Sequence, residues 1–346
     1  MVTPDRYHRQ RLIDWIGDSG QDKLCKSTVA VVGVGALGCM SASMLARSGV
    51  GHLILIDRDV VEKTNLQRQI LFVENDFEIQ KPKATAAATH LAKVNSEIKY
   101  TPFVEDINSK NIDRLLNGVD VIVDGLDNFN SRYLLNDYAV KTETPFMFAG
   151  VIAGRGNVMT IIPGETPCLR CLFPDPPPPS SQDTCDTAGV LAPAIGIAAS
   201  CQCVDVIKFV TGNKDKISRT LLTFDLWDSE SCRVEIGKPS SGCPCCNDFT
   251  FEFLSKPTVE PISLCGRLAV LLPAVDNFDL EKASQKLHEH GNFVHSEQMI
   301  RGDFHEEKSE DGTSIKLICF NDGRSIVHGT DDVKRAKSIF ERYIGN

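Results

Sequence analysis

The sequence predicts a doubly wound α/β protein, with a mostly parallel sheet, an antiparallel extension and a small C-terminal α+β module. Three observations carry that prediction. Short β-branched, apolar runs alternate with helix-forming stretches between Thr28 and Ala149, the pattern of a parallel sheet covered on both faces. A glycine-rich turn separates the first such run from its helix. From about Ser255 the alternation stops, and N-D-G at residues 321–323 joins two apolar runs, as a tight hairpin does.

Taken in order, Arg6–Trp15 is charged and amphipathic and reads as a helix on the domain edge. Thr28–Val32 is the first buried strand, and Cys39–Arg47 the helix after the glycines. Gly49 ends that helix, and His52–Ile56 is a second buried strand closing on Asp57. Arg58–Phe72 lacks a regular pattern. Beyond Pro82, Lys83–Val94 is an alanine-rich helix, Tyr100–Val104 a strand and Asn108–Leu116 a helix. Val119–Val123 is a buried strand ending at Asp124; helix Ser131–Lys141 and strand Pro145–Ala149 complete the series. Gly154–Ile162 opens the antiparallel part. Four consecutive prolines, Pro176–Pro179, exclude helix and central strand there. A long helix over Pro193–Thr211 and a strand near Leu221–Asp225 follow, so a large first domain fills residues 1–254. Residues 255–346 form the module, with helices at Leu280–His290 and Asp331–Tyr343 and a hairpin of Ile315–Phe320 with Arg324–His328. Its chemistry is not legible.

Composition narrows the function classes. The chain has 346 residues, 42% hydrophobic and 24% charged, with a net charge of −9; that balance disfavours non-specific binding to nucleic acid or anionic membranes. No run reaches the roughly 18 apolar residues of a membrane span. Met1–Gln10 lacks the apolar core of a signal peptide, so the expected location is cytoplasmic. Thirteen cysteines in such a setting point to metal or sulfur chemistry rather than disulfides.

Gly33, Gly35 and Gly38 spell G-x-G-x-x-G, and Asp57 lies nineteen residues beyond Gly38. This Rossmann-like unit offers helix N–H groups to a phosphate and an acid to a ribose hydroxyl. Around it stand Arg9 in R-Y-H-R-Q, Arg68 in T-N-L-Q-R-Q, Lys83 in K-P-K and Asp127 in D-G-L-D-N. A nicotinamide-dependent dehydrogenase would give these three cations no task. An enzyme that displaces pyrophosphate from ATP needs them, because charge builds on the phosphoryl oxygens. Asp127, just past a strand's carboxyl end, is placed to hold magnesium. Cys168 and Cys171 form one C-x-x-C, and Cys243 and Cys246 another. Four thiolates so paired suit a closed structural zinc site, with Cys245 as an adjoining ambiguity. Cys185 follows the proline run and precedes a helix, where a thiol pKa can fall. Cys201 and Cys203 do not share a helix face and read as core.

In these stretches the chain resembles the ThiF/MoeB family, the bacterial relatives of ubiquitin-activating enzymes. The likeness rests on R-Y-H-R-Q, G-V-G-A-L-G, D-R-D-V-V-E-K-T-N-L-Q-R-Q, K-P-K, D-G-L-D-N, C-L-R-C, T-C-D-T-A-G-V-L-A-P and C-P-C-C, in order over Arg6 to Cys246. Ala36 departs from the family's third glycine, which a negative φ makes tolerable. The resemblance implies adenylylation of the C-terminal Gly-Gly carboxylate of a ubiquitin-like sulfur carrier for thiamin or molybdopterin synthesis, with ATP, magnesium and zinc. It implies that the Gly35 loop, Asp59, Asn65, Gln69 and Asn128 help hold ATP, and that Asp57 binds ribose. Arg68 and Lys83 neutralise phosphates, Asp127 holds magnesium, and Arg9 reaches the partner subunit's site in a homodimer. Cys185 matches a cysteine that in some relatives engages the carrier through sulfur. The stretch after Ser255 does not resemble the sulfurtransferase domain fused to some relatives, so a separate cysteine desulfurase or sulfurtransferase would donate sulfur. The alternatives are adenylation of another carboxylate, such as one on a modified tRNA base, a nicotinamide-dependent oxidoreductase, or a non-catalytic scaffold.

Overall fold

The computed structural model describes residues 5–176, 185–256, 262–263, 268–275 and 277–345. The chain divides into two compact units, Met1–Pro257 and Thr258–Asn346.

The first unit is built on an eight-stranded sheet. Its strands are β1 (Thr28–Val32), β2 (His52–Ile56), β3 (Lys99–Phe103), β4 (Val121–Asp124), β5 (Phe146–Ile152), β6 (Arg155–Ile161), β7 (Thr220–Asp225) and β8 (Glu230–Glu235). The order is β3-β2-β1-β4-β5-β6-β7-β8. The first five are parallel and the last three antiparallel, which gives the expected doubly wound sheet and its extension. Side chains alternate cleanly between two cores. Ala30, Val32, Ile54, Ile56 and Ile122 face one layer, while Val29, Val31, Leu53, Leu55, Val121 and Val123 face the other. Burial on both faces is why these runs are uniformly apolar. Strand order reverses between β1 and β4, so the crevice at their carboxyl ends is the expected ligand position.

Several elements differ from expectation. Gly17–Lys26 is a helix; its two glycines and polar start hide the helical tendency, and Gly20 lets it close on Thr211. The expected helix over Asn108–Leu116 is only Ile112–Leu115. Strand β8 is exposed at every residue, so it has no apolar period to read. Helix Ala192–Thr211 is long and apolar enough to cross a membrane by length and composition. Here it is a core helix, against helix Ala36–Ser48 and strands β5 and β6. Its buried Asp205 accepts from Thr160 Oγ1 at 2.7 Å and Lys208 Nζ at 2.9 Å.

The second unit is a six-stranded antiparallel sheet carrying helices Leu280–His288 and Val333–Tyr343. Asp279 and Asp332 cap the helices by accepting from Lys282 N and from Lys334 and Arg335 N. Ala283, Leu287, Ala336 and Ile339 pack into a core with Val270, Leu317 and Val327. The expected hairpin is present as Ser314–Phe320 and Ser325–His328. Gly323, at φ +83°, supplies the turn that other residues resist.

Candidate nucleotide and metal sites

The glycine loop closes over the end of β1. Gly33 adopts φ +86°, and a Cβ at Gly38 would stand 1.9 Å from Gly33 O, so both positions need glycine for the backbone alone. Gly35 is different. A Cβ there would meet only Gly125 O, at 3.8 Å, so the protein leaves space that a ligand can approach. Helix Ala36–Ser48 starts at this point, with Gly35 at its N-cap.

Asp57 ends β2 beside the loop. Its Oδ2 accepts from Val34 N at 2.7 Å and its Oδ1 from Asp59 N at 2.7 Å. Asp57 therefore first shapes the glycine loop; each oxygen keeps a lone pair for a ribose hydroxyl. Burial pushes its carboxyl pKa up, opposed by the charge of Lys83. Lys83 is buried and its Nζ donates to Asp59 Oδ2 at 3.1 Å, while its N–H donates to Asp59 O at 2.9 Å. The structure thus brings Asp57, Asp59 and Lys83 together.

Sequence reasoning missed Arg58, which stands within the quoted D-R-D. Its Nη1 donates to Asp106 Oδ1 at 3.0 Å and its Nε lies 3.9 Å from Asp59 Oδ1. Burial would lower its pKa, but Asp106, Asp59 and Asp127 together hold it above the ordinary arginine value. Asn65 and Gln69 are both buried, and Asn65 Nδ2 and Gln69 Oε1 have no hydrogen-bond partner among the described residues. An orphaned donor and an orphaned acceptor four residues apart in the chain fit a polar ligand that completes them. Arg68, half-buried, bonds to Thr64 O at 2.8 Å.

Past β4, Asp127 is exposed and makes no hydrogen bond among the described residues. Asn128 Oδ1 accepts from Ser131 N at 2.9 Å and caps helix Phe129–Thr142. Arg9 is exposed on the short helix His8–Arg11. The neighbouring Gln10 donates to Ser48 O at 2.9 Å, at the far end of the helix that begins at the glycine loop. Thirteen helical residues span roughly 20 Å, so Arg9 is not brought to its own chain's loop.

The four C-x-x-C sulfurs converge. Cys168 Sγ lies 3.9 Å from Cys171 and 3.6 Å from Cys243, Cys171 lies 3.3 Å from Cys246, and all four fall within 4.8 Å of one another. A tetrahedral zinc with bonds of about 2.3 Å sets its sulfurs about 3.8 Å apart, so the cluster fits that ion. The bond to Cys168, then burial, pushes the Cys171 thiol up to about 12. Burial and Cys171 do the same to Cys246, so four thiolates here require a cation's charge. Cys245 is buried beside Cys168 and accepts from Asn136 Nδ2 at 3.3 Å, but its sulfur is not one of the four that converge. Cys185 begins a four-residue helix, Cys185–Ala188, but its side chain, like residues 177–179 of the proline run, lies outside the described residues.

Comparison with known proteins gives a consistent picture. The ThiF family profile matches residues 7–245. The sulfur carrier protein ThiS adenylyltransferase of Bacillus subtilis (strain 168) is 39% identical over 344 residues, 98% of this chain and 99% of that protein. The adenylyltransferase and sulfurtransferase MOCS3 of Xenopus laevis is 37% identical over 250 residues, covering 72% of this chain and 55% of that one. Among solved structures, Escherichia coli MccB with ATP superposes with a TM-score of 0.61 at 27% identity, over 70% of this chain and 74% of that one.

Proposed function

The chain belongs to the ThiF family, and from that premise we propose that it adenylylates the C-terminal Gly-Gly carboxylate of a ubiquitin-like sulfur carrier, releasing pyrophosphate from ATP. The observation that carries the reading is the convergence at the β1/β4 switch point of an open glycine loop, an acid for ribose, a buried lysine and the Asp127 turn. No general base is needed, because a terminal carboxylate with pKa about 3.5 is already ionised. One carboxylate oxygen forms the new bond to the α-phosphorus as the bond to the β-phosphate oxygen breaks, and pyrophosphate carries the charge away.

The residues divide the work. Asp57 holds the glycine loop and accepts from ribose, while Asn65 and Gln69 complete their buried polar groups on the nucleotide. Arg58 and Lys83, pre-aligned by Asp59 and Asp106, and Arg68 offset charge on the phosphates. Magnesium, when bound, would neutralise the departing pyrophosphate, and Asp127 is the residue to hold it. The cysteine cluster would hold zinc structurally. A thiamin-type carrier is favoured over a molybdopterin-type one, because the ThiS adenylyltransferase is matched along both units. Sulfur is then delivered by a separate donor. Intact-mass detection of the AMP-bearing carrier tests the reaction.

The glycines separate fold from function. Gly38→Ala drives a Cβ into Gly33 O and lowers stability by about 3 kcal/mol. Gly35→Ala stays within about 1 kcal/mol of the parent, yet weakens ATP binding at least about tenfold. Thermal melting and ATP titration read the two effects apart; equal stability loss in both variants contradicts the assignment.

Arg9, placed away from its own loop, is assigned to the site of a second copy. Arg9→Ala and Asp127→Ala proteins, each inactive, would regain roughly a quarter of wild-type activity when their subunits are exchanged. No recovery, with mixed dimers present, removes Arg9 from the site.

A further inference from the structure

Asp124 and Arg132 form a buried ion pair at the carboxyl end of β4. Arg132 Nε donates to Asp124 Oδ2 at 2.9 Å, and its Nη2 donates to Leu126 O at 2.6 Å and Ala149 O at 3.0 Å. Asp124 Oδ1 accepts from Leu126 N at 2.9 Å. Both peptide groups of Leu126, the residue before Asp127, are therefore held by this one pair. The guanidinium is also fixed between the rings of Phe129 and Phe148, 5.6 and 5.4 Å from their centres.

The same turn is tied to the glycine loop. Gly125 N donates to Val32 O at 2.8 Å, and a Cβ on Gly125 would lie 2.0 Å from Gly33 O. Behind it, buried Gln202 donates to Asp124 O at 3.0 Å and Met147 O at 2.7 Å, and accepts from Ser41 Oγ on the loop's helix at 3.2 Å. Burial pushes the Asp124 carboxyl up and Arg132 opposes it. A desolvated ion pair adds little net stability over apolar packing of similar volume. What this one adds is direction, since a forked guanidinium fixes several acceptors at once.

We propose that Arg132 is a positioning residue for Asp127: through Asp124 and both peptide groups of Leu126 it fixes the turn that aims the Asp127 carboxylate at the metal-bound triphosphate. The proposal rests on the role given to Asp127 above. It predicts a graded defect. Arg132→Lys keeps the charge but loses the fork, so the turn keeps its contacts with Gly33 while Asp127 loses its fixed direction.

The test is the calorimetric affinity for a non-hydrolysable ATP analogue, with and without magnesium, in wild type, Arg132→Lys and Asp124→Asn. Wild type should bind at least about tenfold more tightly with magnesium. Arg132→Lys should lose most of that gain, while metal-free affinity, set by the glycine loop and Asp57, stays within about twofold. Pyrophosphate exchange in that variant should fall roughly 10- to 100-fold, with KM for ATP rising in step with the lost magnesium gain. A lower melting temperature with the magnesium gain intact means a merely structural pair and overturns the proposal. Should Arg132→Lys not fold, Asp124→Asn keeps an acceptor for Leu126 N and takes its place: loss of the magnesium gain supports the proposal, and an intact gain overturns it. A wild-type protein that binds the analogue with no magnesium gain overturns the role of Asp127 itself, and this proposal with it.

Discussion

Asp127→Ala lowers carrier-dependent ATP–pyrophosphate exchange by about a thousand-fold, the scale seen when one preorganised charge partner of a transition state is removed. Stability should hardly change. Asp127 is exposed and makes no hydrogen bond among the described residues, while the turn around it is secured by Leu126, Asp124 and Gly125. The variant should therefore melt with wild type and still bind metal-free ATP through the Gly35 loop. Arg58 lies under the influence of Asp127, so removing the acid also leaves that guanidinium freer to pair with phosphate. Binding without catalysis is the expected signature. Near-normal exchange in the variant would place the metal on another residue.

Removing the metal from the cysteine cluster produces the second large effect, on folding rather than chemistry. Structural zinc contributes on the order of 10 kcal/mol to small zinc modules. Even a third of that, at roughly 3 °C per kcal/mol for a domain of this size, lowers Tm by about 10 °C. The cluster joins the turn before helix Leu169–Leu172 to Cys243–Cys246. Asn136 binds both sides, accepting from Leu169 N at 2.7 Å and donating to Cys245 Sγ, and Asp137 accepts from Phe253 N at 2.8 Å. Loss of the ion should loosen these segments first. Cys168→Ser should abolish stoichiometric zinc and destabilise the fold, whereas Cys245→Ser should retain one zinc per chain. Elemental analysis with thermal melting checks both. Full zinc content in Cys168→Ser would break the assignment.

The parallel half of the sheet was legible because its burial leaves a mark on every residue. Strands β1 and β2 occupy Thr28–Val32 and His52–Ile56, the bounds their apolar runs predict, and helix Lys83–Val94 follows its alanine face. The elements that escaped reading carry no such mark. Strand β8 pairs with β7 and has no buried side chain. In the second unit, strand Met299–Lys308 is rich in charge and interrupted by a register shift, so no alternation survives in its sequence.

At the site, residue types were visible but their bonds were not. Asp57 reads as a ribose acid, and nothing in G-x-G-x-x-G shows that it also binds the loop through Val34 N. The value of Arg132 depends on carbonyls from the β4 turn and from β5, brought together only by the fold. Arg58 was within the motif, yet its partner Asp106 comes from beyond β3. Spacing within a motif reveals local chemistry; partners contributed by neighbouring strands appear only when the sheet is assembled.

The most direct test of the central claim is ATP–pyrophosphate exchange by the full chain with purified Gly-Gly carriers of the thiamin and molybdopterin types, alone and with the carrier's last glycine removed. Exchange that requires an intact carrier, and is faster with the thiamin type, is the predicted result. ATP binding without exchange on either carrier would contradict the account and point to a different carboxylate as substrate.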